Sequence, residues 1–338
     1  MASLCHAGHG YSSPTYRLRL EVDRAQHGDR AAPTHMRLLP QRVGRHGRSA
    51  GCLKLTRKVI PPELLLDGGH RLPRWWRNGD APSIRSWQPQ RMQTPDDLAA
   101  LRYVRMRWNT PLSEEHAALL LQRLDIRPGA QVLDLGCGWG ELLLRAVAAG
   151  GVSGAAATTG VGVDTDDAAL ARGRALAADR SLDKHVTFVQ GDAATSPETG
   201  DRVLCVGASH AFGGTADALM ALADFVRPGG RLLFGDAYWE QPPTAEAVKI
   251  FGEETVPLAD LIEQARGLGW RVLHFSTADQ REWDDFESTW RAGQQEWLLE
   301  HPEDPRAAKV REELDARLRE YVGIYRGLLG LGYFVLGR

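Results

Sequence analysis

Residues 132–144 read VLDLGCGWGELLL: an apolar run carrying one aspartate, a bend over Gly136, Gly138 and Gly140, and an immediate entry into a leucine-rich helix. A short strand that turns over glycines into a helix is the unit from which open α/β sheets are built, and ligands bind at that bend, beyond the carboxyl ends of the strands. The stretch therefore constrains the fold and the place of the site together.

The surrounding pattern agrees. Apolar runs over 131–135, 160–163, 185–189, 202–206, 231–235 and 271–275 have strand length, and amphipathic stretches over 97–107, 113–124, 139–149, 166–178, 215–226 and 257–268 have helical period. Such alternation predicts an α/β fold, a doubly wound and mostly parallel sheet with helices on both faces. Thr94-Pro95-Asp96-Asp97 and Ser113-Glu114-Glu115 supply caps and acids at two helix starts. Residues 108–112 (WNTPL) read as a turn. Two further long helical stretches, 279–300 and 305–329, precede an apolar strand at 333–336.

What the bend holds is narrowed by its charges. A dinucleotide site needs GxGxxG so that pyrophosphate can rest on the helix end, yet position 141 is glutamate. Asp134, just before the first glycine, repels phosphate and welcomes a cation such as an ammonium group. An NAD-type oxidoreductase is disfavoured on both counts.

VLDLGCGWG resembles the first motif of the class I S-adenosylmethionine-dependent methyltransferases, and further landmarks follow in that family's order: Gly162-Val163-Asp164, Gln190-Gly191-Asp192-Ala193 and Arg227-Pro228-Gly229-Gly230-Arg231. The resemblance covers about residues 94 to 338. It implies a seven-stranded Rossmann-like sheet with an antiparallel last strand, S-adenosyl-L-methionine as cofactor, and a cofactor site formed by Asp134, Gly136, Cys137, Gly138, Gly140, Asp164, Asp192 and Ala193. In that family the acid at position 164 bonds the ribose hydroxyls, and the acid at 192 contacts the adenine amino group. The interval from Gly136 to Asp164 is longer than the usual one of about 20 residues. The excess is the soft stretch 150–159 (GGVSGAAATT), read as a surface insertion. Each aspartate also has a bland reading as a cap or turn residue, and Cys137 and Trp139 read as loop-shaping rather than chemical.

Methyl transfer asks a protein to align the reactants, exclude water and sometimes remove a proton. His210, in the GASHAF stretch after the fourth strand, is the candidate base; its alternative is a histidine that only shapes the loop. Tyr238 and Trp239, after the fifth strand, are candidate substrate-binding walls or else sheet-end packing. Glu240 to Thr244 reads as a rigid loop, a candidate lid. Trp283, Trp290 and Trp297 fall on one helical face with Phe286 between them, which means core packing or, more sharply, an aromatic cap over the site. The face carrying Glu312, Glu313, Arg317, Arg319 and Glu320 reads as solvated.

Charge divides the chain. Residues 1–90 carry 15 Lys and Arg against 6 Asp and Glu, so residues 91–338 hold a net charge of −11. The basic segment 1–91 reads as a mostly disordered extension: a polyanion-binding tail, a transit peptide, or sequence ahead of a true start at Met92. The methyltransferase domain is then 92–338, with 279–329 as a helical cap. Its acidity, and the absence of DPPY-type or Pro-Cys motifs, argue against a nucleic-acid substrate and for a small molecule. Four separated cysteines and unpaired histidines predict no metal site, and no run is long enough to span a membrane. A cytoplasmic enzyme is expected; a non-catalytic cofactor-fold binder is the alternative. Nothing in the sequence indicates an oligomeric state.

Overall fold

The computed structural model describes residues 98–154 and 156–338, so the basic extension 1–91 and the proposed cap residues 94–97 lie outside the described residues. The elements run α1 (Glu114–Leu124), β1 (Gln131–Leu135), α2 (Glu141–Gly150), β2 (Thr159–Asp164), α3 (Asp167–Asp179), β3 (Val186–Gln190), β4 (Gly200–Val206), α4 (Thr215–Phe225), β5 (Val226–Trp239), α5 (Ala245–Phe251), α6 (Leu258–Gly267), β6 (Arg271–Thr277), α7 (Gln280–Glu300), α8 (Ala307–Glu320) and β7 (Leu329–Gly337). The seven strands form one sheet in the order β3-β2-β1-β4-β5-β7-β6, with β7 antiparallel to both of its neighbours.

Strand alternation sorts the core into two layers. Val132, Leu204 and Leu233 meet α1, α2 and α3 through Leu120, Leu143 and Leu170. Their neighbours Leu133, Val203, Cys205 and Leu232 point to the other face, against Leu219 and Leu222 of α4 and Leu261 of α6. The reversal of strand order on either side of β1 and β4 opens a crevice at their carboxyl ends, where the glycine bend lies.

Several helix starts follow the sequence. Ser113 accepts from the His116 N–H at 3.2 Å and Asp166 from Ala168 and Ala169 at 2.9 and 3.1 Å. Asp279 and Glu282 form a reciprocal capping box on α7. Glu282 is also the partner of His116, whose Nδ1 lies 3.0 Å from its carboxylate while Nε2 lies 2.7 Å from Ser276 Oγ. These contacts hold the Glu282 carboxyl down to about 2 against the cost of its burial, and tie α7 to α1 and β6.

Four elements depart from expectation. The helix expected over 97–107 is a 3-10 turn, Leu98–Tyr103, because the Arg172 guanidinium takes the carbonyls of Tyr103 (2.7 Å) and Met106 (2.6 Å) that a continuing helix would use itself. Gly293 of α7 lets this turn lie close, since a Cβ there would come within 2.2 Å of the Leu101 carbonyl oxygen. β5 runs on to Trp239, bulging where the Arg-Pro-Gly-Gly turn was expected. Beyond Glu240, Thr244 caps a short helix, α5, accepting from the Ala247 N–H at 3.1 Å. Finally, the helix expected over 305–329 stops at Glu320, passes through a π-turn (Tyr321–Tyr325), and yields to β7 from Leu329.

The aromatic face of α7 is mostly packing. Trp297 is buried with Leu101 and Leu314, and Trp290 is sandwiched between the guanidinium groups of Arg102 (4.9 Å) and Arg317 (4.0 Å). Arg317 is not merely solvated, for it also grips the buried Glu287 at 2.8 and 3.0 Å.

Candidate functional site

The glycine bend is fixed from beneath. The N–H groups of Gly136 and Cys137 donate to the Val163 carbonyl at 2.9 and 3.1 Å, and the Gly138 N–H donates to Asp164 Oδ2 at 2.7 Å. Gly136 has φ +74°, and a Cβ there would fall 2.3 Å from the Ala208 Cβ, so the first glycine keeps the β1 and β4 strand ends together at a conformation other residues resist. Above this bend lies a cavity of about 300 Å³.

Its lining gathers almost all of the predicted cofactor residues. Asp134, Gly136, Cys137, Gly138, Asp164, Asp192, Ala193 and His210 face it. Gly140 instead forms the start of α2, closing the turn to the Cys137 carbonyl at 2.8 Å. His210 is exposed on the 3-10 turn Ser209–Phe212.

Tyr238 and Trp239 do not reach the cavity. Because β5 continues past the expected strand end, the two side chains enter opposite faces of the sheet: Tyr238 lies 1% exposed across Gly330 of β7, and Trp239 packs on Phe251 of α5. One wall of the cavity comes instead from the segment 107–112, which the sequence presents only as a turn. Trp139 Nε1 donates to the Arg107 carbonyl at 2.9 Å, and Arg172 stacks over Trp139 at 4.2 Å. Tyr333 Oη, from the middle of β7, donates to the Pro111 carbonyl at 2.6 Å and lies 3.1 Å from Thr110 Oγ1. Trp108 and Thr110 beside Pro111 are the available signal, but nothing local tells which strand end such a turn covers.

The cavity is acidic. Asp164 and Asp192 are tied to the backbone, Asp164 through Gly138 and Asp166, and Asp192 through Ala194 at 3.0 Å. Glu141 is buried and held by Arg145 (2.7 Å) and Arg180 (2.6 Å). Asp134 is different: it is 6% exposed and makes no hydrogen bond among the described residues. Burial first, and the nearby Asp164 second, push its carboxyl up to about 8 from the ordinary 3.8. Burial and the same two carboxylates push the Cys137 thiol up, so it stays a thiol.

A buried, unpartnered carboxyl beside a glycine cradle is a seat for a cation, and it is a poor one for pyrophosphate. S-adenosylmethionine, with its ammonium and sulfonium charges and its ribose hydroxyls, fits these residues. Among the described residues no cluster of side chains is placed to hold a metal ion, and no helix is long and apolar enough to cross a membrane.

Comparison with known proteins agrees with the geometry. Residues 132–230 match the family model described as a methyltransferase domain. The uncharacterized protein YjhP of Escherichia coli K12 is 34% identical over 237 residues, 68% of this chain and 93% of YjhP. A crystal structure of a SAM-dependent methyltransferase from Geobacter sulfurreducens, in complex with S-adenosyl-L-homocysteine, is 31% identical, with a TM-score of 0.64 over 70% of this chain and 96% of that one. A ubiquinone biosynthesis O-methyltransferase of Stutzerimonas stutzeri is 31% identical over 128 residues, 38% of this chain and 52% of that protein.

Proposed function

Since the chain belongs to the class I S-adenosylmethionine-dependent methyltransferases, with S-adenosylmethionine as its cofactor, we propose that it methylates a small organic acceptor in the cytoplasm by direct in-line displacement. The observation that carries the acceptor class is the charge of the cavity. Asp164 and Asp192 line it with no cationic partner among the described residues, a field that repels a phosphate backbone and tolerates a neutral or cationic small molecule. The named biosynthetic O-methyltransferase among the relatives points the same way.

In this reading Asp134 holds the amino group of the cofactor, Asp164 the ribose hydroxyls, and Asp192 with Ala193 the adenine. When bound, the cofactor supplies a methyl group on a sulfonium whose sulfur keeps the bonding pair as the methyl departs. The protein's part is to fix the angle and keep water out. The segment 107–112 supplies the cover, and the α7–α8 insertion backs it as a cap. His210, on the cavity's lining, takes the proton that the acceptor's heteroatom releases.

The test uses the full chain with methyl-labelled S-adenosylmethionine and a small-molecule extract, read by mass spectrometry. A product heavier by one labelled methyl group is expected. Binding of S-adenosylhomocysteine with no labelled product would favour a cofactor-fold binder instead. Once an acceptor is in hand, His210→Gln should lower kcat by about a hundredfold, at the low end for a general base because water reaches this exposed rim, and should leave S-adenosylhomocysteine affinity unchanged.

The cover makes a separate prediction. Arg172→Ala releases the carbonyls of Tyr103 and Met106 and uncovers Trp139, and it should weaken S-adenosylhomocysteine binding by about tenfold, the worth of one charge-assisted hydrogen bond. A calorimetric titration that gives the wild-type affinity would show that residues 103–107 are not part of the cofactor's enclosure.

A further inference from the structure

A second, smaller cavity of about 110 Å³ adjoins the first. Arg107, Trp108, Thr110 and Leu112 line both, so the two meet at the cover segment. On its far side the small cavity is closed by α7, through Glu282, Asp285, Phe286 and Thr289. It therefore lies between the cover of the cofactor site and the helical insertion.

Size restricts the occupant. An enclosed apolar cavity of about 150 Å³ takes up benzene; this smaller, open one takes at most a single six-membered ring, with its reacting edge projecting through the opening, and has no room for fused rings. Its walls suit a ring. Phe286 offers one aromatic face, and Trp108 another, itself pinned by the Arg145 guanidinium 4.7 Å from its centroid.

Charge selects among such rings. The cations are already engaged: Arg105 with Glu296 at 2.7 Å, and Arg107 with Glu114. Glu282 is spent on His116 and on the N–H groups of Ser113 (2.8 Å) and Asp279 (2.9 Å). Asp285 alone of these charges has no hydrogen bond or ion pair among the described residues. It lines the small cavity and not the large one, so the uncompensated negative charge stands at the end away from the cofactor.

We infer that the small cavity is the acceptor's seat, and that it selects a single aromatic ring carrying an amino group, which turns toward Asp285 while the opposite edge of the ring presents the atom to be methylated. The word acceptor rests on the methyl-transfer reading above; the ring-and-amine selectivity stands on the cavity itself.

The two are separated by fluorine NMR on the full chain, with 4-fluorobenzylamine and 4-fluorobenzoate as probes, with and without saturating S-adenosylhomocysteine. The amine should bind at least about tenfold more tightly than the carboxylate. Asp285→Asn, a conservative change at an exposed position, should erase that preference. Phe286→Trp and Thr289→Phe, which fill the cavity from two points on α7, should each displace the ring while thermal unfolding confirms that the variants are folded. Equal or tighter binding of the benzoate overturns the inference, as does amine binding that survives both filling variants, or the failure of a cofactor-loaded chain to bind the amine. Selective amine binding in a chain that does not bind S-adenosylhomocysteine would support the cavity's selectivity and remove the methyl-transfer reading.

Discussion

Asp164→Ala is expected to weaken S-adenosylhomocysteine binding by about a hundredfold, because about 3 kcal/mol is the worth of two charge-assisted hydrogen bonds. The carboxylate has two tasks. Its Oδ2 holds the Gly138 N–H at 2.7 Å and its Oδ1 the Asp166 N–H at 3.0 Å, so it stiffens both the glycine bend and the approach to α3. In the proposed complex it also receives the ribose hydroxyls. Asp164→Asn keeps one acceptor oxygen and should lose only about tenfold. Calorimetry decides, with the thermal midpoint as a control for folding. If the alanine variant binds as the wild type does, the ribose is held elsewhere and the strand-end assignment fails.

The second large effect is a pH dependence of cofactor binding, set by Asp134. Burial raises its carboxyl to about 8, so in the free protein it is protonated at neutral pH. A cationic amino group placed against it stabilises the carboxylate and lowers that value in the complex. Binding therefore expels a proton, and S-adenosylhomocysteine affinity should rise with pH by up to about tenfold per unit between about pH 6 and about pH 7.5. Titrations in two buffers of different ionisation enthalpy should show release approaching one proton. Asp134→Asn should flatten the slope. The stability of the free protein runs the opposite way: a carboxyl raised above its unfolded value contributes fully below the ordinary carboxylate range, and that contribution is lost as the pH rises toward 8. An affinity flat in pH, with no proton released, would falsify the pairing of Asp134 with the amino group.

How much of this was legible depends on how local each signal is. β1 matches its reading residue for residue, because QVLDL is bounded by Pro128-Gly129 on one side and the glycine bend on the other. The three aspartates at successive strand ends converge on one cavity because parallel strands put all their carboxyl ends on one edge. The failures are tertiary. Tyr238 and Trp239 looked like site residues only while β5 was thought to end at Gly235; its extension is set by pairing with β7, nearly a hundred residues on. The 3-10 turn was mistaken for a helix because the carbonyls that would close it are taken by Arg172, far away in sequence. The cover segment and the small cavity were invisible for the same reason. Their walls come from 105–112 and 282–289, which no spacing rule connects.

The position of β7 bears on how the chain is made. It is the last strand in chain order, yet it is inserted between β5 and β6 and is buried along its whole length. On the ribosome, β6 emerges with no partner in the sheet, and the β5 edge stays open until residues 329–337 clear the exit tunnel. The same strand carries Tyr333, which anchors the cover at Pro111. Completion of the sheet and completion of the cavity are thus one late event, and a nascent chain that stalls before it presents two unpaired strand edges to its neighbours.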